Sequence, residues 1–145
     1  MENVLIRRLK REDADDIGRI ESAITREPGS LDAKRIVEEQ VERTGGASFV
    51  AELKGRVVGY MISYIISGNF GVDRSAWISF FGVDPQYMGQ GIGMKLAERI
   101  FEVYQEQDIT NVFTSVRWDS TDLLSFFKTL GFERSDFIHL RKELA

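Results

Sequence analysis

The chain has 145 residues, 43% of them apolar and 29% charged, a balance that supports one cored domain and excludes a disordered polymer. It carries no cysteine, which removes disulfides, thiolate zinc sites and a cysteinyl acyl-enzyme, and fits a reducing compartment. The net charge of −4 comes without a basic stripe, so nucleic acid is not an expected partner; no apolar run has membrane-span length or forms a signal-peptide core, and the expected location is cytoplasmic.

Asn3 to Leu9 alternates as a first strand. Glu12 to Ser22 reads as a helix, with Ala14, Ile17 and Ile20/Glu21 at helical spacing. The acids Glu12, Asp13, Asp15 and Asp16 suit a helix start, where they favour the positive end of the dipole; an acceptor-cation site is the competing reading. Pro28-Gly29-Ser30 breaks the chain, and Ser30 is the expected cap of a helix from Leu31 to about Arg43 that ends at Gly45-Gly46. Ser48–Leu53 and Val57–Ile66 flank Lys54-Gly55-Arg56 as a hairpin.

A loop from Gly68 to Ser75 leads into Ala76–Val83, apolar on both faces and therefore a central strand. The helix beyond the following glycines buries Ile92, Leu96, Ile100 and Val103/Tyr104. Asn111 to Arg117 reads as a strand and Thr121 to Leu130 as a helix with Leu123, Phe126, Phe127 and Leu130 inward. Phe132 to Leu140 closes the chain as a strand or hairpin. The alternation of these runs gives an α/β (α+β) fold.

The most informative segment is Phe81-Gly82-Val83-Asp84-Pro85-Gln86-Tyr87-Met88-Gly89-Gln90-Gly91-Ile92-Gly93. A strand-like run ends at Asp84-Pro85, and glycines at alternate positions then open an amphipathic helix. Without Cβ atoms they let a ligand approach the backbone, and the helix start offers unpaired N–H groups and a positive dipole end to a phosphate. A plain strand-to-helix joint would need one glycine; two more cost entropy without adding packing. The G-x-G-x-G spacing does not match the G-x-G-x-x-G dinucleotide fingerprint, and no Gly-Lys-Ser/Thr follows, so a P-loop is excluded.

At these residues the chain resembles the GNAT family of acyl-CoA-dependent N-acetyltransferases, whose pyrophosphate loop reads Gln/Arg-x-x-Gly-x-Gly/Ala after a strand ending in Val-x-Pro. Gly91 and Gly93 match the glycines, Val83, Asp84 and Pro85 match the strand exit, and Met88 stands where the family has Gln or Arg. The family's later motif, Asn-x-x-Ala-x-x-Phe-Tyr-x-x-x-Gly-Phe, is matched from Ser120 to Phe132, with Ser120 for Asn, Leu123 for Ala and Phe127 for Tyr. The resemblance covers the chain from about Phe49 onward. It implies a single GNAT-like domain over residues 1–145, a mixed, mostly antiparallel central sheet flanked by helices and splayed where the strand ending at Val83 leaves the strand Asn111 to Arg117.

It further implies acetyl-CoA as co-substrate, with no metal, held by Phe81, Gly82, Val83, Met88, Gly89, Gln90, Gly91, Ile92, Gly93, Ser120 and Phe127. The partners it implies are an acyl-CoA and an amine acceptor, without nucleic acid or membrane, and a homodimer is left open.

Acyl transfer to an amine requires removal of the amine proton, stabilisation of the thioester oxyanion and departure of the thiolate. The resemblance gives the second task to a main-chain N–H on the strand around Phe81 to Val83, where Gly82 suits an interruption of pairing. It gives the third to a tyrosine, but Phe127 stands there; it often gives the first to a glutamate on the central strand, but Ala76–Val83 contains no acid. Ser79, Tyr64, Asp119 and Ser120 are the remaining candidates. His139, the only histidine, has no Cys or His partner and reads as structural or exposed. The favoured reading is a direct-transfer N-acetyltransferase acting on a small-molecule amine or an exposed protein amine. The alternatives are a non-catalytic acyl-CoA sensor and a domain that has lost its cofactor, the latter opposed by the intact glycine loop.

Overall fold

The computed structural model describes residues 3–26, 31–43, 47–68 and 73–145. The chain forms two compact units, Met1–Ser115 and Val116–Ala145. In the first, five strands, β1 (Leu5–Arg8), β2 (Phe49–Leu53), β3 (Arg56–Ser67), β4 (Arg74–Val83) and β5 (Val112–Thr114), lie side by side in chain order. The first three pairings are antiparallel and β4–β5 is parallel. This is the mixed, mostly antiparallel sheet that the sequence implies.

The hairpin between β2 and β3 turns on Lys54 and Gly55, both at positive φ, so that Leu53 faces Arg56 in register. On one face, α1 (Ala14–Thr25) and α2 (Ala33–Glu42) bury Ile17, Ile20, Ala33, Ile36 and Val37 against Val50, Val57, Tyr60 and Ile62. Alternation along β3 sends Gly59 and Met61 to the other face, where α3 (Ile92–Glu106) packs. The helix comes so close that a Cβ on Gly59 would stand 2.9 Å from Ile92 Cγ2. Ile92, Leu96, Ile100, Val103 and Tyr104 are buried, the stripe read from the sequence.

The break at Pro28-Gly29-Ser30 and the stop at Gly45-Gly46 fall outside the described residues, as do positions 69–72 of the loop from Gly68 to Ser75. Rather than running from Leu31, α2 starts at Ala33, with the Asp32 carboxylate accepting the Arg35 N–H.

Two irregularities shape β3 and β4. Ile62 pairs with Phe80 and Ser63 with Ile78, so Ser79 is an extra residue, a bulge in β4. The parallel pairing with β5 covers only Ala76–Ile78 opposite Val112–Thr114, and among the described strands none pairs with Ser79–Val83 on that side. The splay expected between these strands therefore begins at the bulge. β5 is shorter than the expected Asn111 to Arg117. The Thr114 hydroxyl donates to the Ile78 carbonyl at 2.9 Å and occupies the acceptor that a longer ladder would use.

An ionic cluster ties α1 to the exit of β4. Arg19 donates to Asp84 Oδ2 at 2.8 Å and to the Val57 carbonyl at 2.8 Å, and lies 3.3 Å from Asp16 Oδ1. Asp84 receives the Gln86 N–H at 3.0 Å, and its own N–H donates to the Val58 carbonyl at 2.8 Å. Burial alone would raise the Asp84 carboxyl, but the Arg19 guanidinium, the Gln86 N–H and Arg56 hold it below the ordinary carboxylate range. Asp13 is likewise committed, receiving both terminal nitrogens of Arg7 at 2.8 and 2.9 Å, while Arg7 Nε meets Glu52 at 3.0 Å. The acid cluster at the start of α1 thus holds the fold through Asp13 and Asp16, and Glu12 and Asp15 are exposed.

In the second unit, α4 (Thr121–Thr129) ends in a Schellman arrangement. The Phe132 N–H donates to the Phe127 carbonyl at 3.0 Å and the Gly131 N–H to the Lys128 carbonyl at 3.0 Å, with Gly131 at φ +95. The Phe127 ring meets Phe126 and Phe132 edge-on, each at 5.2 Å. This cluster sits at the end of the helix, and Leu123, a turn away and expected inward, is 38% exposed. Residues 132–145 contain no helix or strand, contrary to the reading of Phe132 to Leu140. The Ser135 hydroxyl donates to the Phe137 carbonyl and accepts its N–H, a local turn that takes backbone groups a ladder would need.

Replacing Asp84 with Asn should leave Arg19 without its buried partner and cost about 1–3 kcal/mol at pH 7, read as a lower urea midpoint. Because the folded pKa is depressed, the wild-type advantage is present above the unfolded carboxylate value of ~3.9 and should fade as pH falls below it.

Candidate acyl-CoA site

The exit of β4 becomes a 3-10 turn at Pro85–Tyr87, capped by Asp84, and then the glycine segment. Gly89 lies at φ +79 and Gly91 at φ +77, left-handed conformations that L side chains resist. A Cβ at either would meet nothing within 4 Å, so the space in front of this backbone is open. Gly91 caps α3, and the first intrahelical bond is Lys95 N–H to the Gly91 carbonyl at 3.1 Å. No side chain caps this end, which leaves the N–H groups of the first turn, starting at Ile92 and Gly93, free for an anion. Met88 is 61% exposed and Gln90 is exposed, whereas Ile92 and Gly93 are buried beneath the turn.

The loop follows directly on the stretch of β4 that, among the described strands, pairs with β3 alone. Phe81 and Val83 are half-buried and Gly82 is buried. The register of β4 shifts at the Ser79 bulge, and among the described strands none pairs with Phe81–Val83 on the β5 side; Gly82 is in addition required by packing. A Cβ there would stand 2.8 Å from the Tyr60 hydroxyl and 2.9 Å from ring atoms Cε1 and Cζ. The Tyr60 ring lies across the backbone of β4, and its hydroxyl donates to Glu21 Oε2 at 2.9 Å. Burial and then the neighbouring Glu21 charge raise the phenol pKa far above its ordinary value, so Tyr60 stays a neutral donor.

Of the catalytic candidates, Ser79 is exposed at the bulge. Tyr64 is half-buried on β3 opposite Trp77, with the Arg43 guanidinium 5.0 Å from its ring centroid. Asp119 and Ser120 belong to the second unit. Asp119 gives both oxygens to Arg117 at 3.1 Å, and that guanidinium holds its carboxyl below the ordinary range, which makes it a weak proton acceptor. Ser120 is the N-cap position of α4 without a side-chain cap bond, and Phe127 is buried in the helix end described above. Sequence reasoning did not find the grouping of Glu21, Tyr60 and Gly82. Its members are 39 residues apart from Glu21 to Tyr60 and meet only in the fold.

Residues 14–132 match the acetyltransferase (GNAT) family. The chain belongs to that family. Solved structures agree on the fold. An aminoglycoside acetyltransferase, meta-AAC0020, from an uncultured soil metagenomic sample superposes with TM-score 0.81 at 22% identity, covering 98% of this chain and 97% of that one. The aminoglycoside N-acetyltransferase AAC(6')-Iy in complex with CoA gives 0.83 at 17% identity, with 100% and 97% covered. A ribosomal-protein-alanine N-acetyltransferase from Brucella melitensis biovar Abortus 2308 gives 0.78 at 15% identity, with 99% and 100% covered. The family match runs through both compact units. No helix among the described residues is long and apolar enough to cross a membrane.

Gly82→Ala should push Tyr60 off β4 and destabilise the protein by about 1–3 kcal/mol, the usual cost of overpacking. Adding Tyr60→Phe should recover only part of the loss, since Cε1 and Cζ remain in the way. Melting temperatures of the two single variants and the double variant check this coupling.

Proposed function

We propose that the protein is an N-acetyltransferase that moves an acetyl group from acetyl-CoA directly to a primary amine of a small molecule or an exposed protein amine. One observation carries the reading: an uncapped helix start with left-handed glycines and open space before it, set just after a strand whose partner side is vacant from the bulge onward. The pyrophosphate would lie on the N–H groups of Met88 to Gly93, and the pantetheine arm would enter the gap beside Ser79–Val83. Two proteins of the same fold, the aminoglycoside acetyltransferase meta-AAC0020 and the aminoglycoside N-acetyltransferase AAC(6')-Iy, support this reading, and the latter was solved with CoA. A cytoplasmic location fits the cysteine-free sequence.

Catalysis rests first on proximity, which can supply about 7–11 kcal/mol of barrier reduction when two reactants are held in line. Backbone N–H groups of β4 left without a strand partner are suited to an oxyanion. A second reading, a non-catalytic acyl-CoA sensor, is favoured by the absence of any acid in Ala76–Val83 and by Phe127 in the place of the family's tyrosine. Turnover of acetyl-CoA against a panel of amines, amino acids and peptides separates the two; binding without turnover on any amine would select the sensor.

Gly91→Val should weaken acetyl-CoA binding at least about tenfold, or ~1.4 kcal/mol, measured by calorimetric titration, while Met88→Gln preserves or tightens it. Unchanged affinity in Gly91→Val removes the backbone cradle from the proposal. Phe127→Tyr should raise turnover about tenfold or more if a phenol there reaches the departing thiolate. A lower melting temperature without a gain in rate identifies Phe127 as the helix-end packing residue alone.

A further inference from the structure

The geometry points to Glu21 as the residue that receives the acceptor amine, and it fixes the acceptor class as a cationic primary amine. This inference rests on the acetyl-transfer reading above. Four carboxylates in this unit that are wholly or partly buried, Asp13, Asp16, Glu52 and Asp84, each meet an arginine. Glu21 is half-buried like them, yet among the described residues its side chain meets only the Tyr60 phenol, a neutral donor that satisfies one lone pair and leaves the charge uncompensated. A partly desolvated carboxylate without a cation attracts one.

Its place gives that attraction a use. The Tyr60 hydroxyl, 2.9 Å from Glu21 Oε2, is the atom nearest to where a Cβ of Gly82 would stand. Glu21 is therefore held one phenol away from the β4 backbone beyond the bulge, beside the stretch proposed for the thioester. β4 carries no acid of its own between Ala76 and Val83, and Glu21 supplies the missing charge from α1. Tyr60 is the positioning residue: it pins one carboxylate oxygen and leaves the other for the substrate.

In the transfer, an ammonium docked on Glu21 first loses one proton to solvent. The freed nitrogen forms the N–C bond to the thioester carbon, and the C–S bond breaks with its electron pair remaining on sulfur as CoA thiolate. The nitrogen's second proton, acidic once the nitrogen is acylated, passes to Glu21 and from there to solvent, leaving the amide and a regenerated carboxylate.

The test uses the full-length protein with spermidine, lysine and sisomicin as amine probes. Glu21→Gln keeps an oxygen for Tyr60 but loses the charge; kcat should fall by about 10²-fold or more, with the acetyl-CoA dissociation constant unchanged within about twofold. Tyr60→Phe should lower kcat by about tenfold with the same cofactor affinity, and it carries the test alone if Glu21→Gln melts below the assay temperature. An active wild type whose Glu21→Gln and Tyr60→Phe variants both turn over within twofold of it overturns this assignment and leaves the acetyl-transfer reading intact. A wild type that binds acetyl-CoA but acetylates neither these three probes nor any member of the wider panel of amines, amino acids and peptides overturns both.

Discussion

The Arg19–Asp84 pair is the constraint from which the site is built. Arg19 lies on the helix that covers one sheet face, and Asp84 is the residue at which β4 stops. The guanidinium bonds that carboxylate and the Val57 carbonyl together, while Asp16 takes the Val57 N–H at 3.3 Å and the Asp84 N–H takes the Val58 carbonyl. Val58 is the extra residue where β3 slips against β2, so its backbone is available for this exchange. The exit of β4 is thus clamped between a helix and a neighbouring strand. The 3-10 turn and the glycine segment can then present α3 to an anion with little remaining freedom, which lowers the entropic cost of binding.

That clamp also explains how charge is distributed on this face. A half-buried carboxylate is expensive unless it is paired, and the fold answers with arginines at Asp13, Asp16, Glu52 and Asp84. At Asp84 the pairing that makes the acid a good structural element also makes it a poor reagent, because the Arg19 guanidinium holds its carboxyl below the ordinary range. Glu21 differs from these acids in its partner: its carboxylate is held by the Tyr60 phenol at 2.9 Å instead of by an arginine.

The strands, the hairpin turn and the buried stripe of α3 were legible because each is written in short-range periodicity. What failed depended on partners. Asn111 to Arg117 has strand chemistry throughout, yet pairing ends where the Thr114 hydroxyl takes the Ile78 carbonyl. Phe132 to Leu140 alternates like a strand, but Ser135 turns the backbone locally. Gly82 reads in sequence only as a site suited to interrupted pairing; that its lack of a side chain also accommodates the ring of Tyr60 is invisible until β3 and β4 are in register.

The same division runs through the site. A cofactor recognised by backbone amides imprints glycines at fixed local spacing, because conformation is set by the residue itself; the segment from Gly89 to Gly93 could be read without any neighbour. The acceptor site proposed above draws on a helix, a strand and the strand beside it through Glu21, Tyr60 and Gly82, and no local pattern connects them. The phenylalanine of the later motif falls between these cases. Phe127, Gly131 and Phe132 form a helix stop in which the Phe127 and Phe132 rings, 5.2 Å apart, make the apolar contact that accompanies a left-handed glycine. The spacing that marks the family in sequence is therefore also what this helix end requires for its own stability, and an aromatic ring at position 127 serves that purpose with or without a hydroxyl.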